Sequence, residues 1–303
     1  MEFGIGLPTG GGRWDRMVDE ATRAEAAGLD AVWINDHLFA PMGAERPQFE
    51  AWTALAAIAA VTERVRLGHL VACVSFRNVG LFAKSAVTAD HVSDGRLEIG
   101  LGAGWFEAEY TSFGYEFPTP ADRVDAADEY IEALDLLLTA GDDPVDYDGR
   151  FVTLAGARCL PGPIQQPRPP IVVGTAGRRM LGITGRRADT WNCPASAIPT
   201  LEATRDRVMA AGRPVRTTLQ MPAAPGRDPA EAAAHLERAK RDLAWTGDVA
   251  EIGLVGTVEQ AAERALAYRD RGVDGFTCVL PGGDARIPSL EALGAVAGLV
   301  RAS

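Results

Sequence analysis

Short apolar runs alternate with amphipathic helical stretches along almost the whole chain. Runs such as FGIGLP (3–8), DAVWIN (30–35) and PPIVVG (169–174) have the length and composition of buried strands. Between them, apolar residues recur at helical spacing, and the stretch WDRMVDEATRAEAAG ends at Gly28, a residue type that commonly ends helices. Strands that alternate with helices indicate a parallel sheet that the helices cover.

The same pattern extends to the end of the chain. Strands are predicted at 3–8, 30–35, 64–72, 96–102, 169–174, 188–193, 216–222 and 273–280. Helices are predicted at 14–28, 50–62, 80–93, 121–140, 177–187, 199–211, 229–245, 257–271 and 289–301. A hairpin is expected at 145–154, closed by the turn-forming pair Asp148-Gly149.

Eight strand–helix units in a chain of 303 residues predict a (β/α)8 TIM barrel of the α/β class. The competing fold is an open doubly wound sheet, with one or two domains. Two observations disfavour it, because no stretch has linker composition and the first strand is not followed by GxGxxG. We expect residues 1–303 to form a single barrel domain, with insertions near 106–120, 141–165 and 222–256.

Charge and composition restrict the functional class. A net charge of −11 argues against nucleic-acid binding, and no apolar run approaches the length of about 20 residues that spans a membrane. The N-terminus MEFGIGLPTG lacks the pattern of a signal peptide, and the four cysteines form no CxxC, so we expect a cytoplasmic protein without disulfides. His69 and His91 lack metal-ligand spacing, so no metal site is predicted. His235, in a charged helix, is expected at the surface.

Asp36 and His37 directly follow the second predicted strand, in AVWINDHLF (31–39). In a TIM barrel the C-terminal ends of the strands form the active-site face. Histidine changes its protonation state near neutral pH, and a neighbouring carboxylate can orient it. The pair is therefore a candidate for acid–base chemistry. The alternative is a histidine that only caps the strand through backbone hydrogen bonds.

Two other strand ends are rich in glycine. In GLGAGW (100–105), the glycines remove side chains where a flat ligand or a phosphate could approach the backbone. In VVGTAGRR (172–179), the start of the following helix favours a phosphate. A tight turn and an ordinary strand-to-helix loop are the respective alternatives. The residues alone predict a barrel enzyme that binds something flat and phosphorylated, without naming a reaction.

Several blocks of the sequence resemble the luciferase-like monooxygenase superfamily, and within it the actinobacterial branch that uses the deazaflavin coenzyme F420. They are NDH after the second strand, EAWTALAAIAAVTERVRLG, FRNVGLFAKSAVTADHVSDGRLEIGLGAGWFEAEYTSFGYEFP and PRPPIVVGTAGRRML…ADTWN. The resemblance covers nearly the whole chain in the same order and is strongest from 50 to 118. It implies a barrel that binds F420, or alternatively FMN, at the strand C-termini, and it implies a homodimer.

The resemblance also assigns residues. His37 matches the family's active-site histidine, and Asp36 lies beside it. The positions implied in cofactor binding are Leu70 and Val71, where the family often has a non-proline cis peptide, then Ala103, Gly104 and Trp105, and the phosphate cradle Gly174, Thr175, Ala176 and Gly177.

Two positions depart from the family pattern. Trp105 stands where the family's sugar-phosphate dehydrogenases carry a catalytic glutamate, so glucose 6-phosphate is not the expected substrate. Thr175 replaces the second glycine of the phosphate loop, where its backbone and hydroxyl can still donate.

The leading hypothesis is an F420-dependent oxidoreductase that transfers a hydride between C5 of the deazaflavin and a small organic substrate. The alternatives are an FMN-dependent monooxygenase and a non-catalytic F420-binding protein. The loops at 38–49, 106–120 and 222–256 are expected to set the substrate. Their aromatic and apolar residues suggest an apolar or aromatic small molecule: Phe39, Met42, Phe49, Phe106, Tyr110, Phe113 and Tyr115.

Overall fold

The structure is a computed structural model that describes residues 1–10, 12–41 and 46–303, so that Met42 lies outside the described residues. The strands are β1 (Glu2–Gly6), β2 (Ala31–Ile34), β3 (Arg66–His69), β4 (Ala72–Cys73), β5 (Leu97–Gly102), β6 (Val145–Asp148), β7 (Thr153–Ala157), β8 (Ile171–Gly174), β9 (Thr190–Cys193), β10 (Arg216–Gly226), β11 (Leu254–Thr257) and β12 (Gly275–Val279).

All nine predicted helices are present, and two short helices at 107–112 and 249–252 were not predicted. The α-helices are α1 (Trp14–Ala26), α2 (Ala51–Ala59), α3 (Val79–Val92), α4 (Glu107–Ser112), α5 (Pro120–Thr139), α6 (Arg178–Arg187), α7 (Leu201–Met209), α8 (Pro229–Asp242), α9 (Val249–Ile252), α10 (Val258–Asp270) and α11 (Arg286–Ala302). Short 3-10 helices occupy Val74–Phe76, Ala195–Thr200, Ala244–Thr246 and Gly283–Ala285. Within the described ranges, no helix combines the length and the apolar character needed to cross a bilayer.

Eight parallel strands close into a barrel, which confirms the predicted fold. Their order around the ring is β1, β2, β3, β5, β8, β9, β10 and β12. The ring closes because β12 pairs with β1 in register Phe276 to Phe3. Each of these strands coincides with one of the eight predicted from the apolar runs.

Three local features differ from the prediction or add to it. The predicted strand at 64–72 is interrupted after His69, and the Leu70–Val71 peptide bond before β4 is cis, as the resemblance implied. The β6–β7 hairpin is closed by a four-residue loop instead of a two-residue turn. The reason is that Glu129 of α5 accepts hydrogen bonds from the loop N–H groups, including that of Phe151 at 2.7 Å.

The interval 222–256 contains an additional strand that the sequence pattern did not predict. β10 continues to Gly226, and β11 pairs with this extension in register Ala223 to Leu254. His235 of α8, expected at the surface, is buried. Its Nδ1 lies 2.8 Å from the carbonyl oxygen of Pro225 and 3.1 Å from the hydroxyl of Ser289, because α8 packs against β10 and the side chain reaches α11.

The inside of the barrel is filled below its C-terminal mouth. Trp33 occupies the centre, and Gly68 makes room for it, since a Cβ there would lie 2.8 Å from the indole ring. Towards the N-terminal end, Arg66 pairs with the buried Glu98 at 2.5 Å on the inner face of the sheet. Space for a ligand therefore remains at the mouth.

Candidate active site

A cavity of about 550 Å³ opens at the C-terminal ends of the barrel strands, a volume within the usual range for small-molecule sites. Its walls come from the ends of β2, β4, β5, β8, β9 and β10 and from the insertion after β10. The lining residues are Asn35, Asp36, His37, Pro41, Leu70, Val71, Cys73, Phe76, Gly102, Gly104, Trp105, Phe106, Glu109, Tyr110, Gly174, Thr175, Asn192, Pro194, Gln220 and Trp245.

The cavity brings together most of the site residues predicted from the sequence. Those that line it are Asp36, His37, Leu70, Val71, Gly104, Trp105, Gly174 and Thr175. Ala103, Ala176 and Gly177 belong to the same loops without lining it. The roles assigned to all of these residues stay predictions.

His37 is paired with Glu109, a residue that the sequence analysis did not select. The Nδ1 atom of His37 lies 2.9 Å from Oε2 of Glu109, whose side chain is almost fully buried. The other carboxylate oxygen accepts the backbone N–H of Leu38 at 2.5 Å. Because a carboxylate only accepts hydrogen bonds, Nδ1 carries the proton. Nε2 is then the nitrogen left for a ligand, without a partner in the described part of the chain.

Asp36, which the sequence placed beside His37, makes different contacts. Its carboxylate accepts hydrogen bonds from both terminal nitrogens of Arg77, at 2.6 and 2.9 Å, and from the backbone N–H of Cys73 at 3.0 Å. Burial alone would lower the pKa of Arg77, but its bonds to Asp36 and Glu50 raise it above the ordinary value. Arg77 therefore stays charged, and Asp36 ties the segment around β4 to the end of β2.

Glu50, the second partner of Arg77, completes this network at the protein surface. Its carboxylate lies 2.5 Å from Arg77 and also accepts the N–H of Thr53 at the start of α2. Partial burial would raise the pKa of Glu50, but the hydrogen bonds from Thr53 and Arg77 lower it to about 2. Glu50 and Arg77 are therefore both charged at neutral pH, and their contact holds the start of α2 against the site.

A Cβ on the glycines of GLGAGW would meet neighbouring protein groups, although Gly102 and Gly104 also line the cavity. A Cβ at Gly100 would lie 1.7 Å from the carbonyl oxygen of His69. At Gly104, with φ of +77°, a Cβ would lie 1.9 Å from the hydroxyl of Tyr110, which itself lies 3.0 Å from the thiol of Cys73. These glycines therefore allow close packing behind the cavity wall.

Val71 forms part of the cavity floor between two strand ends. A Cβ added at Gly102 would lie 2.5 Å from one methyl group of Val71, and a Cβ added at Gly174 would lie 2.9 Å from the other. Leu70 packs in the other direction, on Trp33 and Val172 inside the barrel. The Leu70–Val71 segment thus presents an apolar surface to any ligand in the cavity.

The predicted phosphate cradle lies at the start of α6. The N–H of Thr175 donates to the carbonyl oxygen of Asn192 at 3.3 Å, and its hydroxyl accepts the N–H of Gly177 at 3.1 Å. The backbone N–H of Thr175 is therefore occupied, while its hydroxyl proton stays available. The first turn of α6 offers further N–H groups and the positive end of the helix dipole to an anion.

Polar groups on the cavity wall are almost all neutral. Asn192 and Gln220 point into the barrel from β9 and β10, at alternate positions that a period-two reading of those strands could have identified. Among the described residues, no Lys or Arg lines the cavity, and the sequence MGAE at 42–45 contains none. The two lining carboxylates, Asp36 and Glu109, both have partners within the protein.

Aromatic residues of the predicted substrate loops gather on one side of the mouth. Phe106 lies in the cavity wall, and Phe39 packs edge-on against it at 5.5 Å between ring centroids. Phe113 lies beyond Phe39 at 6.2 Å and is half exposed. Tyr115 packs on Phe76 at 5.1 Å, behind the cavity. Of the loop residues named from the sequence, Phe106 and Tyr110 line the cavity, and the apolar or aromatic substrate stays a prediction.

Comparison with known proteins places these features in context. A family model described as luciferase-like monooxygenase matches residues 1–247. An uncharacterized protein of Mycobacterium tuberculosis is 32% identical over 305 residues, which cover 92% of this chain and 99% of that protein. An F420-dependent glucose-6-phosphate dehydrogenase of Amycolatopsis mediterranei is 33% identical over 181 residues, 58% of this chain and 52% of that enzyme. Among solved structures, an F420-dependent secondary alcohol dehydrogenase in complex with an F420-acetone adduct superimposes with a TM-score of 0.83 at 19% identity, covering 99% of both chains.

Proposed function

The chain belongs to the luciferase-like monooxygenase family, and we propose that it is an F420-dependent oxidoreductase that acts on an uncharged apolar or aromatic small molecule. The relatives named as F420-dependent support the cofactor. The substrate class rests on one observation, which is a cavity whose described lining contains no Lys or Arg side chain. A phosphorylated or carboxylated substrate would have to enter it without a counter-charge.

The residues present fit F420. Leu70 and Val71 offer an apolar floor for a flat ring, and the amides of Asn192 and Gln220 can hydrogen-bond to its polar edge. The start of α6 beside Thr175 suits the phosphate of the cofactor side chain. When bound, the deazaflavin supplies or accepts a hydride at C5 of its ring.

His37 would handle the proton that accompanies the hydride. Its Nε2 can donate to, or accept from, a substrate oxygen or nitrogen in the cavity. Glu109 fixes the ring orientation through Nδ1 and would stabilise the imidazolium by its charge. Trp105 and Phe106 form an apolar wall of the cavity next to His37.

Replacement of Glu109 by glutamine tests this pairing. The amide keeps the shape of the side chain but removes its charge, so kcat is expected to fall about a hundredfold. The F420 dissociation constant is expected to change little, because the described hydrogen-bond partners of the Glu109 carboxylate are His37 and the backbone N–H groups of Leu38 and Phe39. Steady-state kinetics with the best substrate and an F420 fluorescence titration measure the two quantities.

Glu107 provides the matched control on the same short helix. It is exposed, two residues before Glu109, and the Glu107→Gln variant should turn over like the wild type. If Glu109→Gln were equally active, the proposed role of Glu109 would be excluded.

The function itself is tested by turnover without oxygen. Reduced F420 and a panel of uncharged ketones, enones and imines, followed at the F420 absorbance under anaerobic conditions, should show oxidation of the cofactor. Glucose 6-phosphate with oxidised F420 should show none. A reaction that requires oxygen would indicate an FMN-dependent monooxygenase instead, and tight F420 binding with no turnover across the panel would indicate a non-catalytic cofactor-binding protein.

A further inference from the structure

Two tryptophan side chains at the cavity mouth are largely exposed. Trp105 is 65% exposed and Trp245 is 52% exposed, and both line the cavity. Trp33, Trp52 and Trp191 are, by contrast, at least nine-tenths buried. Large apolar surfaces at a cavity mouth commonly mark a place that a ligand covers.

The two rings reach the mouth from well-separated directions. Trp105 follows β5, whereas Trp245 lies in the 3-10 helix Ala244–Thr246 of the insertion after β10. In the ring of eight strands, β10 is the third strand after β5, so the two loops stand well apart around the mouth. The insertion at 222–256, expected from the sequence to set the substrate, therefore contributes a wall to the site through Trp245, a residue not named from the sequence.

Trp105 lies next to the candidate acid–base residue. Its ring stacks on Phe106, with centroids 5.2 Å apart and planes 29° apart. It stands nearly perpendicular to the His37 ring, with centroids 6.1 Å apart. A flat group that lies along Trp105 would thus come close to His37.

We propose that Trp105 and Trp245 form the substrate site and select a planar, uncharged aromatic ring. The inference deepens the proposed function and rests on it for the reaction alone, since the cavity geometry does not depend on the cofactor. The aromatic walls favour a ring, and Nε2 of His37, whose ring lies beside Trp105, is available to hydrogen-bond a carbonyl or hydroxyl group on it. Trp105, which the resemblance grouped with the cofactor-binding stretch, is thereby assigned to the substrate.

A pair of matched probes tests this selection. 2-Acetylnaphthalene and 2-naphthoate share one ring system and differ in charge, so calorimetric titration of purified protein compares them directly. The neutral ketone is expected to bind about tenfold more tightly than the anion, because the described cavity lining offers the carboxylate no Lys or Arg. Equal or tighter binding of 2-naphthoate would overturn the selection for uncharged rings.

Substitutions show whether Trp105 and Trp245 contribute to ketone binding more than an exposed tryptophan elsewhere on the surface. Trp105→Ala and Trp245→Ala are each expected to weaken binding of the ketone about fivefold to tenfold, and Trp105→Phe to restore most of it. Trp14→Ala is the control, because Trp14 is 36% exposed and packs on Phe49 away from the cavity lining. Wild-type affinity in both alanine variants, or no binding of the ketone to the wild type, would contradict the inference.

A parallel F420 titration distinguishes the two proposals. Micromolar F420 binding without a preference for 2-acetylnaphthalene over 2-naphthoate would reject the inference and leave the proposed function intact. Ring binding without F420 binding would reject the function and leave the ring site intact. If Trp105→Ala weakened F420 binding as much as ketone binding, Trp105 would belong to the cofactor site and the inference would fail.

Discussion

Replacement of His37 by alanine is expected to lower kcat of F420-dependent turnover by about 10²- to 10⁴-fold, the usual contribution of a positioned acid–base group. The physical reason is that Nε2 of His37 is the ring nitrogen left free by Glu109 at the cavity wall. Since the cofactor would contact other surfaces of the cavity, its dissociation constant should change little. Anaerobic steady-state kinetics and an F420 fluorescence titration on the same preparation give both values.

His91 provides the control for this substitution. It lies on α3, where its Nε2 is 2.9 Å from the carbonyl oxygen of Gly162, away from the cavity lining. His91→Ala should therefore turn over at the wild-type rate. A His37→Ala enzyme with wild-type kcat would remove His37 from the mechanism, and the proton would have to be handled elsewhere.

Asp36 is expected to matter for stability more than for proton transfer. Asp36→Ala would leave Arg77 without its bidentate partner and the N–H of Cys73 without an acceptor, both close to the site. Breaking a buried pair costs about 3–5 kcal/mol, and we expect the lower end of that range because Glu50 still pairs with Arg77. Urea unfolding of the variant and the wild type measures the change in the free energy of unfolding.

The same variant distinguishes a supporting role from a catalytic one. Folded Asp36→Ala protein should keep most of its kcat, because Asp36 makes no hydrogen bond to His37. Glu50→Gln is the milder comparison, since the Glu50 side chain is 45% exposed and exposed pairs contribute at most about 1 kcal/mol. Wild-type stability combined with a loss of turnover like that of His37→Ala would instead make Asp36 part of the proton-transfer machinery.

The barrel fold could be predicted from the sequence because each of its strands and helices has its own local sequence pattern. Each strand, such as DAVWIN or PPIVVG, is a short apolar run buried on both faces, and each helix carries its own periodicity and end signals. The position of His37 at a strand end followed from the fold alone. The cis bond between Leu70 and Val71 was accessible only through the family resemblance.

The hydrogen-bond partner of His37 could not be predicted from the sequence, for a physical reason. Glu109 is 72 residues away in sequence, on a helix of six residues that is too short to show a clear period. The local sequence FEAEY (106–110) is typical of an acidic, solvent-exposed turn. Only the approach of α4 to the end of β2 distinguishes Glu109 from the exposed Glu107.

Two further features could not be derived from the sequence pattern: the structural role of the glycines, and the homodimer. A glycine that leaves space looks the same in sequence whether a ligand or a protein group fills that space, and at Gly104 the group is Tyr110. The homodimer implied by the resemblance concerns a second copy of the chain, so it stays a prediction.

The most direct test of the account is equilibrium binding of F420 and of FMN, each oxidised and reduced, to the purified protein by fluorescence or calorimetry. We expect micromolar or tighter binding of F420 and much weaker binding of FMN. Preference for FMN would contradict the cofactor assignment and indicate oxygen chemistry. Binding of neither would leave the barrel correct and the proposed function wrong.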